Sequence, residues 1–225
     1  MEKLLIIAAT KNKNKLKEFK EIFSNSDAEI LSADDAVSKF IGADAIYPDP
    51  EETGKTFAAN AFLKVSSLYD FLGERVRKEV EGDVLIVADD SGLCVDALDG
   101  APGVYSARFA SKNGENATDK DNVEKLLAEM KDVPDEKRQA AFTCAISGIL
   151  IRKNLPDYIL LTAEGKMHGV ISREPHGENG FGYDPVMYLP EHGKCVAEIT
   201  AQEKNAISHR GQALRRLSER YYGLR

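Results

Sequence analysis

The feature that most constrains this sequence is a short apolar run that leads directly into two acidic residues. Residues 84–88 (VLIVA) are followed by Asp89, Asp90, Ser91 and Gly92. An uninterrupted run rich in β-branched residues predicts a strand buried in a sheet, and open α/β sheets bind ligands at the carboxyl ends of their strands. The run therefore predicts a buried strand that ends at residue 88, with the acidic pair directed at a site where a hard metal ion could bind.

Apolar periodicity along the rest of the chain alternates between strand and helix patterns. The predicted strands cover residues 4–9, 28–32, 84–88, 140–151, 158–162 and 165–172. The predicted helices cover residues 15–23, 56–72, 118–130 and 202–222. Thr56 or Thr53 is placed to cap the second helix and Thr118 the third, and Gly73 is placed to end the second. Strands that follow one another directly favour antiparallel pairing, so an α/β fold with a mixed sheet is predicted.

Length and composition restrict the classes of protein that remain. The 225 residues are 43% hydrophobic and contain no linker, which favours one domain over 1–225 with two lobes rather than separate domains. The net charge of −7 argues against broad binding to nucleic acid, although one basic pocket for a small anion is compatible with it. The apolar run near the amino terminus is too short to span a membrane.

Three widely separated cysteines give no metal-type spacing and no even set for a disulfide framework: Cys94, Cys144 and Cys195. They fit a reducing compartment, and we expect the protein to be cytoplasmic.

The turn between the first strand and the first helix is a candidate anion site. It carries Thr10, Asn12 and Lys15, and a helix amino terminus offers unpaired N–H groups to a phosphate. A helix cap with solvated lysines explains the same residues equally well. The Gly-Lys-Thr at 54–56 does not form a P-loop, because residue 49 is aspartate where that motif needs glycine.

The acidic residues allow both a metal-binding and a structural interpretation. Asp89 and Asp90 repel one another unless a cation relieves the repulsion, and Mg²⁺ bound by carboxylates and substrate phosphates is the usual solution. An Asx turn is the alternative. Glu51 and Glu52 precede the second helix, where they either interact favourably with the helix dipole or contribute to a metal site.

Two segments near the carboxyl end are candidate ligand contacts. Residues 180–184 (GFGYD) place two aromatic rings next to glycines, which suits stacking on a base, and a tight structural loop is the alternative. Lys204, His209 and Arg210 bring donors to the start of the last predicted helix.

Taken in this order, the segments resemble the inosine/xanthosine triphosphate pyrophosphatase family, and the resemblance covers nearly the whole chain. The matching motifs are Thr10-x-Asn12-x-x-Lys15, Glu51-Glu52-Thr53-Gly54, residues 88–93 (ADDSGL), residues 100–108 (GAPGVYSAR), residues 180–185 (GFGYDP) and Ser208-His209-Arg210-Gly211. The resemblance implies an elongated mixed sheet flanked by helices, with two lobes, a central active-site cleft and a homodimer. The implied reaction is Mg²⁺-dependent hydrolysis of ITP, dITP and XTP to the monophosphate and pyrophosphate.

Residue roles follow from the same resemblance. It implies that Asp90 is the catalytic base and a metal ligand, with Asp89 in support and Glu51 as the second ligand in a register uncertain by one residue. The implied substrate contacts are Thr10, Asn12, Lys15, Ser91, Phe181, Gly182, Tyr183, Asp184, Lys204, His209 and Arg210. Residues 32–50 and 70–83 are longer than the compact pattern of that family. Two alternatives remain open: a pyrophosphatase of the septum-inhibition class acting on modified pyrimidine nucleotides, and a catalytically silent nucleotide sensor.

Overall fold

The computed structural model describes residues 4–23, 27–153 and 155–224, and a mixed sheet runs through them. Its seven strands lie in the order β2-β1-β3-β4-β5-β6-β7. They are β1 (Leu5–Ala8), β2 (Glu29–Ser32), β3 (Val84–Val95), β4 (Gln139–Ile151), β5 (Tyr158–Ile171), β6 (Met187–Leu189) and β7 (Lys194–Cys195). β1 pairs in parallel with β2 and β3, whereas β6 is antiparallel to both β5 and β7. The predicted mixed α/β fold is therefore confirmed.

The described residues form six helices. Three lie close to predicted helices, one was not predicted, and two replace the single helix predicted over 202–222. The six helices are α1 (Lys13–Ile22), α2 (Ala33–Phe40), α3 (Phe57–Glu79), α4 (Asp119–Glu129), α5 (Ala201–Ile207) and α6 (His209–Tyr222). Thr56 caps α3 by accepting from the amide of Ala59, and Thr118 caps α4 by accepting from the amide of Asp121. These side chains satisfy N–H groups that the first turn of a helix leaves unpaired. In the part of the chain described, no helix is long and apolar enough to span a bilayer.

The chain divides into two compact units. The described part of the first unit comprises residues 4–23, 27–90, 145–153, 155–164 and 213–224. The second unit comprises residues 91–144 and 165–212. Three strands, β3, β4 and β5, contribute residues to both units.

Each unit has its own apolar core. In the first unit, alternate residues of the parallel strands, such as Ile7 and Ile86, pack with Leu68 and Leu72 of α3. This packing explains why the apolar stripe of α3 recurs at helical spacing. In the second unit, the core contains Leu93, Leu126, Met130, Phe142, Met167, Met187 and Val196.

The central strand is longer than predicted. β3 does not end at Ala88 but continues through Asp89 and Asp90 to Val95. Both aspartates are buried within the strand, with 2% and 6% of their surfaces exposed. The prediction treated charge as a strand terminator, whereas lysines from two helices compensate the charge here and the strand continues.

Two helix boundaries were also predicted wrongly. α3 passes through Gly73 and ends at Glu79. The ring of Tyr69 lies where a side chain at 73 would project, with a carbon 2.7 Å from that position, so Gly73 makes room for this ring and does not end the helix. The predicted helix over 202–222 is two helices, interrupted at Ser208, which adopts an extended conformation (φ −63°, ψ 152°). His209 and Arg210 therefore open α6, whereas Lys204 lies in α5.

The pairing of β5 with β6 depends on the absence of a side chain at Gly169. A Cβ atom at this position would lie 2.4 Å from the carbonyl oxygen of Tyr188, a backbone atom that cannot move without breaking the pairing. We expect Gly169→Ala to reduce the free energy of unfolding by about 2 kcal/mol, as steric strain in a packed interior does. Chemical denaturation of the purified variant measures this loss.

Gly148→Ala in β4 is the matched control for this substitution. Its added Cβ would meet the flexible side chain of Leu85 at 3.2 Å as its nearest neighbour. Its loss of stability is expected to be smaller, and equal losses in the two variants would contradict the assigned role of Gly169.

Candidate functional site

A buried carboxylate, Asp90, lies at the centre of the first cluster of polar residues. Its Oδ2 accepts a hydrogen bond from Asn60 Nδ2 at 3.0 Å, and its Oδ1 lies 3.1 Å from Lys64 Nζ. Asn60 and Lys64 are four residues apart on α3, so they project from the same face one turn from each other. The helix capped by Thr56 thus supplies both partners of Asp90.

Lys64 also bridges Asp90 to the segment that precedes α3. Its Nζ lies 2.9 Å from Glu52 Oε1, so one ammonium group contacts two carboxylates. The segment is fixed further by Gly54, whose amide donates to Asn60 Oδ1 at 2.7 Å. A Cβ at Gly54 would lie 2.5 Å from that oxygen, so only glycine allows the approach.

A second lysine meets the other aspartate of the pair. Lys15 Nζ lies 3.0 Å from Asp89 Oδ2. The turn that delivers Lys15 is ordered by its own side chains, because Thr10 Oγ1 accepts from the amide of Asn12, and Asn12 Oδ1 accepts from the amide of Lys15. The predicted anion-binding turn therefore also supplies the counter-charge of a buried carboxylate.

Burial and the charge of Lys64 shift the pKa of Asp90 in opposite directions. Burial is the main influence and raises its pKa above the ordinary value; Lys64 opposes this shift, and Glu52 adds to it. For Lys64, burial alone would lower the pKa, but Asp90 and Glu52 outweigh burial and raise it. Lys64 therefore stays protonated, and Asp90 takes up a proton more readily than an exposed aspartate does.

The second cluster lies in the second unit and is built around another buried carboxylate, Asp184. Its Oδ2 accepts from Lys204 Nζ at 2.7 Å and from the amide of Phe181 at 3.0 Å. Lys204 Nζ also lies 4.4 Å from the centre of the Phe181 ring, within the range of a cation–π interaction. Gly180 has φ +80°, and a Cβ there would lie only 2.0 Å from Asp184 Oδ2. The loop thus needs glycine to bring its backbone against the carboxylate.

The neighbouring residues of this loop are held by the rest of the second unit. The hydroxyl of Tyr183 donates to the carbonyl of Ser106 at 2.8 Å, and burial raises the pKa of that phenol well above its usual value. The amide of Gly182 donates to Asp119 Oδ2 at 2.7 Å. Tyr183 therefore anchors the loop in the core as a neutral hydrogen-bond donor.

The start of α6 contributes the remaining predicted residues. Arg210, with 1% of its surface exposed, donates from Nη2 to Ser91 Oγ at 3.0 Å. The His209 ring stacks on Phe142, with centroids 5.1 Å apart and planes inclined by 18°. The break at Ser208 places both side chains at a helix start.

The residues predicted from the sequence are divided between the two units. The first unit contains Thr10, Asn12, Lys15 and Asp90, and the second contains Ser91, Phe181, Gly182, Tyr183, Asp184, Lys204, His209 and Arg210. Of the two glutamates, Glu51 is exposed, whereas Glu52 is partly buried and joined to Asp90 through Lys64. The substrate-binding and metal-binding roles of all these residues stay predictions. The contact with Lys64 favours Glu52 over Glu51 as the metal-linked glutamate.

Sequence reasoning missed Asn60 and Lys64. The signal was present, because both are polar residues beside the apolar stripe formed by Ala61, Val65 and Leu68. Two polar positions four residues apart at the edge of a buried helix face indicate a shared buried partner.

The carboxylates of the first cluster are the donors that a hard divalent cation prefers. Asp90 and Glu52 offer oxygen atoms, and both now contact Lys64. Among the described residues, no group of three or more histidine, cysteine or acidic side chains is arranged to hold a metal. Asp90 and Glu52 are therefore the residues of this cluster that could hold a divalent cation.

Fold and site together define a mixed-sheet α/β protein with two lysine-compensated buried carboxylate clusters. The sequence model described as the Ham1 family matches residues 6–220. The chain belongs to this family.

Relatives of known activity match over almost their entire length. The dITP/XTP pyrophosphatase of Clostridium perfringens is 44% identical over 218 residues, which is 97% of each chain. The dITP/XTP pyrophosphatase of Escherichia coli K12 is 44% identical over 94% of this chain and 95% of the enzyme.

Solved structures agree with the fold. The HAM1 protein of Coxiella burnetii is 39% identical with a TM-score of 0.78, covering 98% of this chain and 99% of that protein. The Staphylococcus aureus Ham1 protein is 35% identical with a TM-score of 0.75, covering 98% and 100%.

The raised pKa of Asp90 has a measurable consequence for stability. Because the folded state binds this proton more tightly than the unfolded chain, ionisation of Asp90 costs stability as the pH rises from the ordinary aspartate pKa through the folded value. We expect Asp90→Asn to unfold at a higher temperature than the wild type at about pH 8, and this advantage to shrink towards about pH 4, where Asp90 is protonated in both states. Thermal unfolding followed by circular dichroism measures both differences.

Asp83→Asn provides the comparison. Like Asp90, Asp83 is buried and ion-paired, because it accepts from the Tyr221 hydroxyl and pairs with Arg152, so its replacement controls for the loss of an ion pair in the first unit. No gain in stability is expected for it. An Asp90→Asn variant that melts at or below the wild-type temperature at about pH 8 would show that pairing with Lys64 outweighs burial.

Proposed function

We propose that this protein hydrolyses the non-standard purine nucleoside triphosphates ITP, dITP and XTP to the monophosphate and pyrophosphate, and so removes them from the nucleotide pool. The observation that carries the proposal is the buried Asp90, oriented by Asn60 and Lys64, in a chain 44% identical to dITP/XTP pyrophosphatases. The first cluster is assigned to the phosphates and the second to the base.

Asp90 is the proposed general base. Water attacks the α-phosphorus, the bond to the oxygen that bridges the α- and β-phosphates breaks, and pyrophosphate departs while Asp90 takes the proton of the water. Each oxygen of a carboxylate has two lone pairs, so each remains able to accept after bonding to Asn60 or Lys64. Its raised pKa makes Asp90 a stronger base than an exposed aspartate.

The residues around Asp90 are assigned the binding of phosphate, the orientation of Asp90 and the binding of the metal ion. Lys15, with the N–H groups at the start of α1, binds phosphate oxygens and stabilises the pyrophosphate that leaves. Lys64 and Asn60 keep Asp90 in one orientation. Asp90 and Glu52 are the proposed holders of Mg²⁺, with Glu51 as the alternative from the sequence. The ion would neutralise phosphate charge and favour ionisation of bound water.

The second cluster suits a 6-oxopurine. Lys204 and Arg210 carry only donors, which complement a carbonyl oxygen but oppose the amino group of adenine. The Phe181 ring offers a face on which a base can stack. A donor left unpaired against adenine costs binding free energy, so discrimination against ATP follows from Lys204, His209 and Arg210.

The cellular context is proposed from the cysteines and the oligomeric state from the family resemblance. The three cysteines are free thiols, which supports a reducing cytoplasm. A homodimer is proposed from the family resemblance. Light scattering of the purified chain measures its mass, and a monomer at assay concentration would refute the dimer.

A substrate panel tests the proposed activity. We expect pyrophosphate release from ITP, dITP and XTP with Mg²⁺, and little release without it or from ATP. Comparable turnover of ATP, or release of orthophosphate alone, would contradict the proposal. Preference for dTTP or UTP would point to the septum-inhibition class, and binding of ITP without turnover would indicate a sensor.

A substitution at Asp90 tests its catalytic role. Asp90→Asn is expected to lower kcat for dITP by at least about a hundredfold, the usual contribution of a general base. The Kd for dITP measured without Mg²⁺ should change little, because the contacts of the protein with the phosphates and the base remain. Stopped assays give kcat and calorimetry gives Kd.

Asp83→Asn should keep wild-type kcat, because Asp83 bonds to Tyr221 and Arg152 rather than to the cluster. Unchanged turnover in Asp90→Asn would remove Asp90 from the catalytic role.

A further inference from the structure

The second unit contains a buried guanidinium that does not contact the clusters described above. Arg138 is 3% exposed. Nε donates to the carbonyl of Ile171 at 2.7 Å, Nη2 to that of Ser172 at 3.0 Å, and Nη1 to those of Met130 and Val133 at 2.6 and 3.3 Å. All four acceptors are backbone carbonyls. Arg138 therefore ties the end of α4 to the end of β5.

The point held by Arg138 is where the loop carrying Phe181 and Asp184 begins and ends. The amide of Ser172 donates to the carbonyl of Val186 at 2.9 Å, which closes the loop. The hydroxyl of Ser172 donates to the carbonyl of Glu174 at 2.7 Å. A single residue thus fixes both the departing and the returning strand of the loop.

A short series of hydrogen bonds connects Ser172 to the proposed base contacts. The amide of Val186 donates to the carbonyl of Tyr183 at 3.1 Å, and the amide of Asp184 donates to that of Phe181 at 3.3 Å. Asp184 then accepts from Lys204. Displacement at Ser172 therefore changes where the carboxylate and the aromatic ring are presented.

We infer that Arg138 is a positioning residue for the base: through Ser172 it sets the geometry of loop 172–186 and so the selectivity of the enzyme among nucleobases. The inference rests on the proposed function in assigning this loop to the base. Arginine suits the task because its planar fork serves several acceptors at once, which one ammonium group cannot reproduce.

The test separates recognition of the base from recognition of the phosphates. Arg138→Lys and Ser172→Ala both weaken the connection from Arg138 through Ser172 to loop 172–186, but to different degrees. We expect KM for dITP to rise about tenfold in Arg138→Lys and less in Ser172→Ala, as the loss of buried hydrogen bonds predicts. Inorganic tripolyphosphate has no base, so its inhibition constant should stay at the wild-type value, and kcat for dITP should change little.

Arg77→Met is the matched control. Arg77 also donates to backbone carbonyls, those of Arg152, Leu155 and Asp157, but these belong to the turn between β4 and β5 in the first unit. Its replacement should lower the melting temperature without changing the ratio of KM for dITP to the inhibition constant of tripolyphosphate. A similar change in this ratio would attribute the effect to general loss of stability.

Hydrogen exchange of the free protein gives a readout that does not depend on activity. Peptides covering residues 172–186 should exchange faster in Arg138→Lys, whereas peptides from α3 should not change. Unaltered exchange in this loop, or equal losses for dITP and tripolyphosphate, would overturn the inference. A chain that hydrolyses no nucleotide would refute the proposed function, and the exchange result would still decide whether Arg138 orders the loop.

Discussion

The contact of Lys64 with both Asp90 and Glu52 is the interaction on which the first cluster depends. A carboxylate inside a strand that runs through an apolar core is unfavourable unless a counter-charge and hydrogen bonds accompany it. Lys64 of α3 supplies the charge, and its partners come from two other segments, the residues before α3 and β3. The same ammonium group that makes the buried aspartate tolerable also fixes the direction in which its oxygens point.

The second unit also pairs a buried carboxylate with a lysine, and there the pair holds a loop. Asp184 is buried and meets Lys204, but its other partner is a backbone amide in a glycine-rich loop. Residues 172–183 of this loop belong to no helix or strand, so its position depends on anchors outside it. Tyr183 provides one anchor in the core, and Arg138 with Ser172 provides another at the ends of the loop.

The sequence predicted most of the regular structure, because apolar periodicity and capping residues are local signals. The caps at Thr56 and Thr118 are confirmed, and α2 also had a local signal that went unused: Ser32 and Asp35 form a capping box. The extension of β3 through Asp89 and Asp90 could not be predicted locally, because it depends on lysines distant in sequence.

The motifs identified the residues of both clusters but not all of their partners. Lys64 and Asn60 belong to no motif that was recognised, and their significance lies in pairing with β3 across a long sequence separation. Glu52 rather than Glu51 faces Lys64, a difference of one residue that depends on how the chain enters α3. The break at Ser208 was hidden by apolar spacing that continues across it.

The side-chain amide of Asn60 forms hydrogen bonds through both of its ends. Its oxygen is committed to the amide of Gly54 and its nitrogen to Asp90, so rotation by half a turn would bring two donors together at one end and two acceptors at the other. Aspartate, although nearly the same shape, would set oxygen against oxygen at Asp90. The absence of a side chain at Gly54 therefore restricts the choice of residue at position 60, and through it the donor that Asp90 receives, so a substitution at any of these three positions disturbs the other two.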